Sequence, residues 1–206
     1  KTFAEKDRQA LTRLATQLAE PTPIAAWDWR YLAQKLKAER FDLDESVLKP
    51  YFSLSNMIGA MFDCAHRLFG LRFVELTDVP LHHQDARLWE VRDREDALIG
   101  VFIGDNFARP TKRSGAWMSV FRSQSGHQGG TLPIVINNNN FAKADVTLLS
   151  VDDVRTLFHE FGHGLHGLLS QVRFERLAGT RVLRDFVELP SQIFENWAME
   201  PQVLQQ

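Results

Sequence analysis

The chain changes its hydrophobic period near residue 70. Before that point, apolar residues recur at helical spacing. Residues 3–20 place Leu11, Leu14, Ala15 and Leu18 on one face, and Pro21 and Pro23 end the run. Residues 27–40 predict a second helix, with Trp27, Tyr31 and Leu32 facing inward. Lys35, Lys37, Glu39 and Arg40 form its solvated face. Asp44 to Phe52 read as a short helix or turn, and Ser55 to Phe69 as a further helix stopped by Gly70. From residue 71 the pattern is that of strands, at 71–77, 86–92, 98–102, 115–121 and 132–137, with a turn at Asp93–Asp96. Asn137 to Asn140 read as a run of turn formers. Helical spacing returns at 150–169 and at 185–199, and no internal repeat interrupts the chain. The expected fold is α+β and predominantly helical, with a helical part over 1–70 and a small mixed sheet plus two late helices over 71–206.

The helix at 150–169 carries the chemistry. Ser150 is a good N-cap, Asp153 three residues on resembles a capping box, and Asp152 and Asp153 suit the positive end of the helix dipole. Val154, Leu157, Phe158, Phe161, Leu165, Leu168 and Leu169 supply the apolar spacing. Gly162, Gly164 and Gly167 oppose it at about 1 kcal/mol each relative to Ala, which implies that something approaches closely there. The helix contains His159, Glu160 and His163, the pattern H-E-x-x-H. Positions i and i+4 lie one above the other, so the two imidazoles can share one Zn²⁺ with Glu160 beside them as general base. The longer pattern ending in a third His is excluded, because His166 and Leu169 stand at its Gly and His positions. The other solution is a Glu on a later helix, giving two His and one Glu with a water in the fourth place. The helix at 185–199 offers Glu188 and Glu195 seven residues apart on one face, and spacing leaves both open. Gln192, one turn after Glu188, and Glu195 are candidates to hold the imidazoles in orientation. His166 shares the same general face and reads as a wall of the cleft rather than a fourth ligand.

His-Glu-Phe-Gly-His-Gly-Leu-His at 159–166 and Asp-Phe-Val-Glu-Leu-Pro-Ser-Gln-Ile-Phe-Glu-Asn-Trp at 185–197 resemble the thimet oligopeptidase family of zinc peptidases. Ala-Trp-Asp-Trp-Arg-Tyr at 26–31 and Ser-Gly-Ala-Trp-Met at 114–118 look most like its bacterial peptidyl-dipeptidase branch. The resemblance implies that Glu188 is the third zinc ligand. It also implies a zincin-like core, in which an edge strand beside the zinc helix pairs with an extended substrate; Gly115, Ala116 and Trp117 are the expected start of that edge. The substrates it implies are short peptides, cut either by release of C-terminal dipeptides or internally. Family chains are several times longer and carry transition-state Tyr and His residues in later helices. These 206 residues are therefore expected to be part of a larger, monomeric enzyme, with a start elsewhere than Lys1. The isolated piece is expected to hold zinc, to cleave poorly, and to expose apolar helix faces.

Composition narrows the partners. A formal charge of −2 argues against nucleic acid or an anionic membrane surface, and no apolar run approaches the length of a bilayer span. Cys64 is the only cysteine, which allows no internal disulfide and suits a reducing, cytoplasmic compartment. Its apolar helix makes buried packing its expected role. Tyr31 and Tyr51 are the only tyrosines, and both lie on early helices. His66, His82, His83 and His127 read as surface or internally satisfied histidines.

Overall fold

A computed structural model describes residues 2–41 and 45–205. The described residues begin with four helices: α1 (Thr2–Gln17), α2 (Asp28–Phe41), α3 (Glu45–Leu48) and α4 (Leu54–Phe69). Strands β1 (Arg72–Leu76), β2 (Arg87–Arg92), β3 (Leu98–Phe107), β4 (Trp117–Arg122) and β5 (Ile134–Phe141) follow. Three helices end the chain: α5 (Val151–Leu168), α6 (Leu189–Trp197) and α7 (Pro201–Leu204). The fold is α+β. The start of the segment expected at Asp44 lies outside the described residues; α3 and a 3₁₀ turn at Lys49–Tyr51 account for the rest of it.

The chain divides into two compact units between Val47 and Leu48. In the first, Leu11 and Ala15 of α1 pack with Leu32 of α2. Trp27 and Tyr31 do not face inward as expected. They are 83% and 47% exposed, because the buried stripe of α2 runs through Leu32 and Leu36, while Tyr31 donates to Glu20 across the surface.

The second unit holds the sheet, in the order β1-β2-β3-β5-β4. Among the described residues only the β3–β5 pair is parallel, so the sheet is mixed and β4 is one of its edges. α4 belongs to this unit although it precedes the sheet. Ser53 caps it by accepting the Asn56 N–H, Gly70 ends it at φ 75°, and Met57, Met61 and Ala65 bury into the core shared with α5. Cys64 lies in that core, and burial pushes its thiol up to about 11. Phe158 and Phe161 of α5 are fully buried, with Phe161 edge-on to Phe102 of β3 at 5.2 Å. Among the described residues no helix is long and apolar enough to cross a membrane.

Asn137 to Asn140 are not a turn. They are the second half of β5, between β3 and β4. Asn resists strands on average, but position in a sheet overrides that preference; the buried side-chain amide of Asn137 has no hydrogen-bond partner among the described residues. Asn139 donates to Asn106 at 2.8 Å, and Asn140 donates to the carbonyls of Arg113 and Gly115 at 2.8 and 2.6 Å. Beside them sits a buried charge cluster that hydrophobic patterning overlooks. Asp105 of β3 is wholly buried and takes both Arg109 nitrogens at 2.7 and 2.6 Å, His82 at 2.9 Å and Lys112 at 3.2 Å. Lys112 also donates to the carbonyls of Asp105, Phe107 and Asn139. The i+4 and i+7 spacing of Arg109 and Lys112 from an Asp inside an apolar strand was the available signal.

Two predictions follow from this packing. A Cβ on Gly162 would lie 2.6 Å from Ser191 Cα and 2.9 Å from the Pro190 carbonyl, whereas one on Gly59 of α4 meets nothing within 4 Å. Gly162→Ala should cost about 1–3 kcal/mol and Gly59→Ala should add about 0.4–1 kcal/mol in urea unfolding. The second concerns acid. Burial alone would raise the pKa of Asp105, but its bonds from Arg109, His82 and Lys112 hold it well below the usual carboxylate range. The folded state therefore binds this proton less readily than the unfolded state. The stability involved is present above about pH 4 and is lost as pH falls below it. Asp105→Asn should cost about 3–5 kcal/mol at neutral pH by leaving two cations without their counter-charge. It should also flatten the loss of stability on acidification, as read by urea midpoints across the acid range.

Candidate metal centre

The site is assembled on α5. Its N-terminus is a full capping box: Ser150 Oγ accepts the Asp153 N–H at 3.1 Å, and Asp153 accepts the Ser150 N–H at 2.9 Å. One face of the helix is buried against the core. The next turns carry His159 and His163, whose rings stand 4.9 Å apart and nearly perpendicular at 84°. Bare helix surface at Gly162 lets the backbone of α6 at Pro190 and Ser191 lie directly on α5.

That contact brings Glu188 to the imidazoles. Glu188 is not inside a helix over 185–199; it is the N-cap of α6, which starts at Leu189 with Pro190 in its first turn. Its Oε2 lies 3.2 Å from His159 Nε2 and 3.1 Å from His163 Nε2, and Ser191 Oγ donates to the same oxygen at 2.9 Å. The donor atoms of His159, His163 and Glu188 all lie within 4.8 Å of one another. Glu195 occupies the other side of His159: its Oε1 is 2.6 Å from Nδ1, and Arg155 Nε is 3.8 Å from its second oxygen. A carboxylate on Nδ1 assigns the ring proton there and leaves the Nε2 lone pair facing Glu188. Two imidazole nitrogens and one carboxylate oxygen gathered in this way fit a divalent ion of the zinc type, whose charge would relieve the crowding of lone pairs.

Glu160 is 7% exposed and lines the same cleft. Burial raises its pKa, with Glu188 adding to the effect, while His159 and a hydrogen bond from the Met118 backbone oppose it. Burial lowers the pKa of His163 against the pull of Glu188. The cleft has a volume of about 410 Å³, and its remaining walls are Ala116, Trp117 and Met118 on one part and Thr180 and Val187 on another. Trp117 begins edge strand β4; Gly115 and Ala116 precede the strand, with Gly115 at φ 84°.

Other expected residues lie elsewhere. His166 lines a separate, largely apolar pocket of about 440 Å³ beside Leu165 and Phe194, since three residues past His163 the helix has turned away from Glu188. Its Nδ1 is buried without a hydrogen-bond partner among the described residues, and burial lowers its pKa. The Gln192 side chain is exposed and makes no hydrogen bond to either imidazole among the described residues. His66 meets the Leu71 carbonyl, His82 meets Asp105 and His83 meets the Asp85 N–H. His127 lies against Phe174, and none of these four lines the cleft. Within the second unit, Tyr51 does not line it either.

Residues 1–206 match the model of peptidase family M3. The chain is similar to a dipeptidyl carboxypeptidase of Escherichia coli, 48% identical over 86% of this chain and 26% of that protein. It is similar to oligopeptidase A of Salmonella typhimurium, 35% identical over 97% of this chain and 30% of that protein. It is also similar to a probable cytosolic oligopeptidase A of Arabidopsis thaliana, 37% identical over 87% of this chain and 27% of that protein. The chain thus spans between about a quarter and a third of the length of these relatives. With the family model matched from end to end, the chain belongs to peptidase family M3.

Proposed function

We propose that this chain carries the zinc centre of a metallopeptidase that hydrolyses short peptides. The observation that supports it best is the convergence of His159, His163 and Glu188 within 4.8 Å, with Glu195 on the far nitrogen of His159. His159, His163 and Glu188 would hold the ion. When bound, zinc supplies Lewis-acid polarisation of a carbonyl and a lowered pKa for water.

The chain's own residues do the rest. Glu195 and Ser191 orient His159 and Glu188. Glu160, buried and with a raised proton affinity, takes a proton from the attacking water and passes it to the leaving amine. The outer edge of β4, which begins at Trp117, offers backbone groups to an extended peptide, the zincin-like arrangement. Dipeptide release from the C-terminus is the favoured mode, because the 48% relative is a dipeptidyl carboxypeptidase; internal cleavage, as the name of the 35% relative suggests, is the alternative. Comparing amidated with free-acid peptides separates the two. A reducing cytoplasmic setting agrees with the lone, buried Cys64.

Among the described residues the cleft is lined by no Tyr, Arg or additional His that could stabilise a tetrahedral oxyanion. We therefore assign that role to a part of a longer polypeptide, in keeping with the greater length of the relatives. The direct test is metal content together with turnover of a quenched fluorescent peptide, for these 206 residues and for a form extended at both ends. Equal turnover would show that these residues supply their own oxyanion donor.

Glu160→Gln should retain zinc and lower turnover by at least about 100-fold, the lower end for a general base. Turnover preserved in that variant removes Glu160 from proton transfer. Glu195→Ala should weaken zinc affinity by about 10- to 100-fold in a chelator competition titration. An unchanged affinity would leave the contact with His159 without a role at the metal.

A further inference from the structure

Once the three metal-ligating side chains and Glu160 are set aside, the lining of the cleft among the described residues retains one hydroxyl, that of Thr180, beside the indole of Trp117. It sits in the link between α5 and α6, half-buried, and its hydroxyl makes no hydrogen bond among the described residues. The link is nevertheless held in place. Gly179, at φ 54°, donates its N–H to Ser170 Oγ at 2.6 Å, and Ser170 Oγ donates to the His166 carbonyl at 3.0 Å. A Cβ on Gly179 would stand 3.0 Å from Gly167 Cα, so the link lies against the bare backbone of α5. Gly167 is four residues beyond His163, one helical turn further along the same face. The anchor therefore fixes Thr180 relative to the turn that carries His163. A hydroxyl without a hydrogen bond among the described residues, on a pinned backbone beside a cleft that β4, α5 and Val187 also line, is available to a ligand.

We propose that Thr180 is a substrate-binding residue whose hydroxyl hydrogen-bonds a backbone amide or carbonyl of the bound peptide. The β4 edge takes the peptide by its strand-pairing groups, and Thr180 takes a backbone group from the loop wall. A hydroxyl can donate or accept, so this contact tolerates varied side chains and suits recognition of peptides as a class. The proposal rests on the peptidase reading of the same cleft.

The test uses the zinc-loaded full-length polypeptide with Glu160→Gln, so that peptide binds without being consumed. Calorimetry gives its affinity for a short peptide, with metal content measured alongside. Adding Thr180→Val, which keeps the shape and removes the hydroxyl, should weaken peptide binding by roughly fivefold, the worth of one hydrogen bond, with zinc content unchanged. Thr180→Ser should restore affinity to within about twofold, because the hydroxyl rather than the methyl group carries the contact. Equal affinity of the Val form and its parent overturns the role of Thr180, and so does a Ser form as weak as Val. A parent that holds no zinc, or holds zinc and binds no peptide, shows that the peptidase reading itself has failed and the Thr180 proposal with it.

Discussion

Everything in the cleft depends on the backbone contact between α5 and α6 at Gly162. Two helices rarely meet with only backbone between them at the crossing. Here a single added methyl would strike Ser191 Cα at 2.6 Å. The closeness matters because Glu188 is at the very start of α6, with a short side chain and two imidazoles to reach. The same approach puts Glu195, two turns later, on the back of His159. One steric permission thus positions both the third ligand and the group that orients the first. The helix-propensity cost of glycine in α5 is the price of that geometry.

The other wall of the cleft depends on polar groups that are buried and paired. Asp105, Arg109 and Lys112 tie the end of β3 to the loop that leads into β4, and Lys112 reaches across to the Asn139 carbonyl of β5. Asn140 holds the carbonyls of Arg113 and Gly115 just before the strand begins. The guanidinium of Arg113 lies 4.5 Å from the Trp117 ring, which faces the cleft. Buried charges of this kind are costly unless fully partnered, and their gain is a defined geometry. Here that geometry is the placement of an edge strand beside Glu160, close enough for the Met118 backbone to bond its carboxylate.

Much of this was legible in the residues themselves, because local rules govern it. Ser150 and Asp153 encode the helix start, the i, i+4 spacing of His159 and His163 encodes a shared face, and the three glycines signal a close approach without naming the partner. Strand alternation located part of each of the five strands among the described residues, missing the second halves of β3 and β5, and Gly70 ended α4 as its position implied. Tertiary structure decided what local rules leave free. Spacing along α6 allowed Glu188 and Glu195 equally; only the crossing of α5 and α6 puts one beside the two Nε2 atoms and the other on Nδ1. Asn137 to Asn140 have the composition of a turn, and became a central strand because β3 and β4 flank them and pair with their backbone, while the amide groups of Asn139 and Asn140 donate to partners. Trp27 and Tyr31 have the hydrophobicity of core residues, but a helix buries one stripe, and in α2 that stripe passes through Leu32. Periodicity fixes which residues share a face; which face meets which neighbour is set by contacts between residues far apart in the chain, and no local pattern contains them.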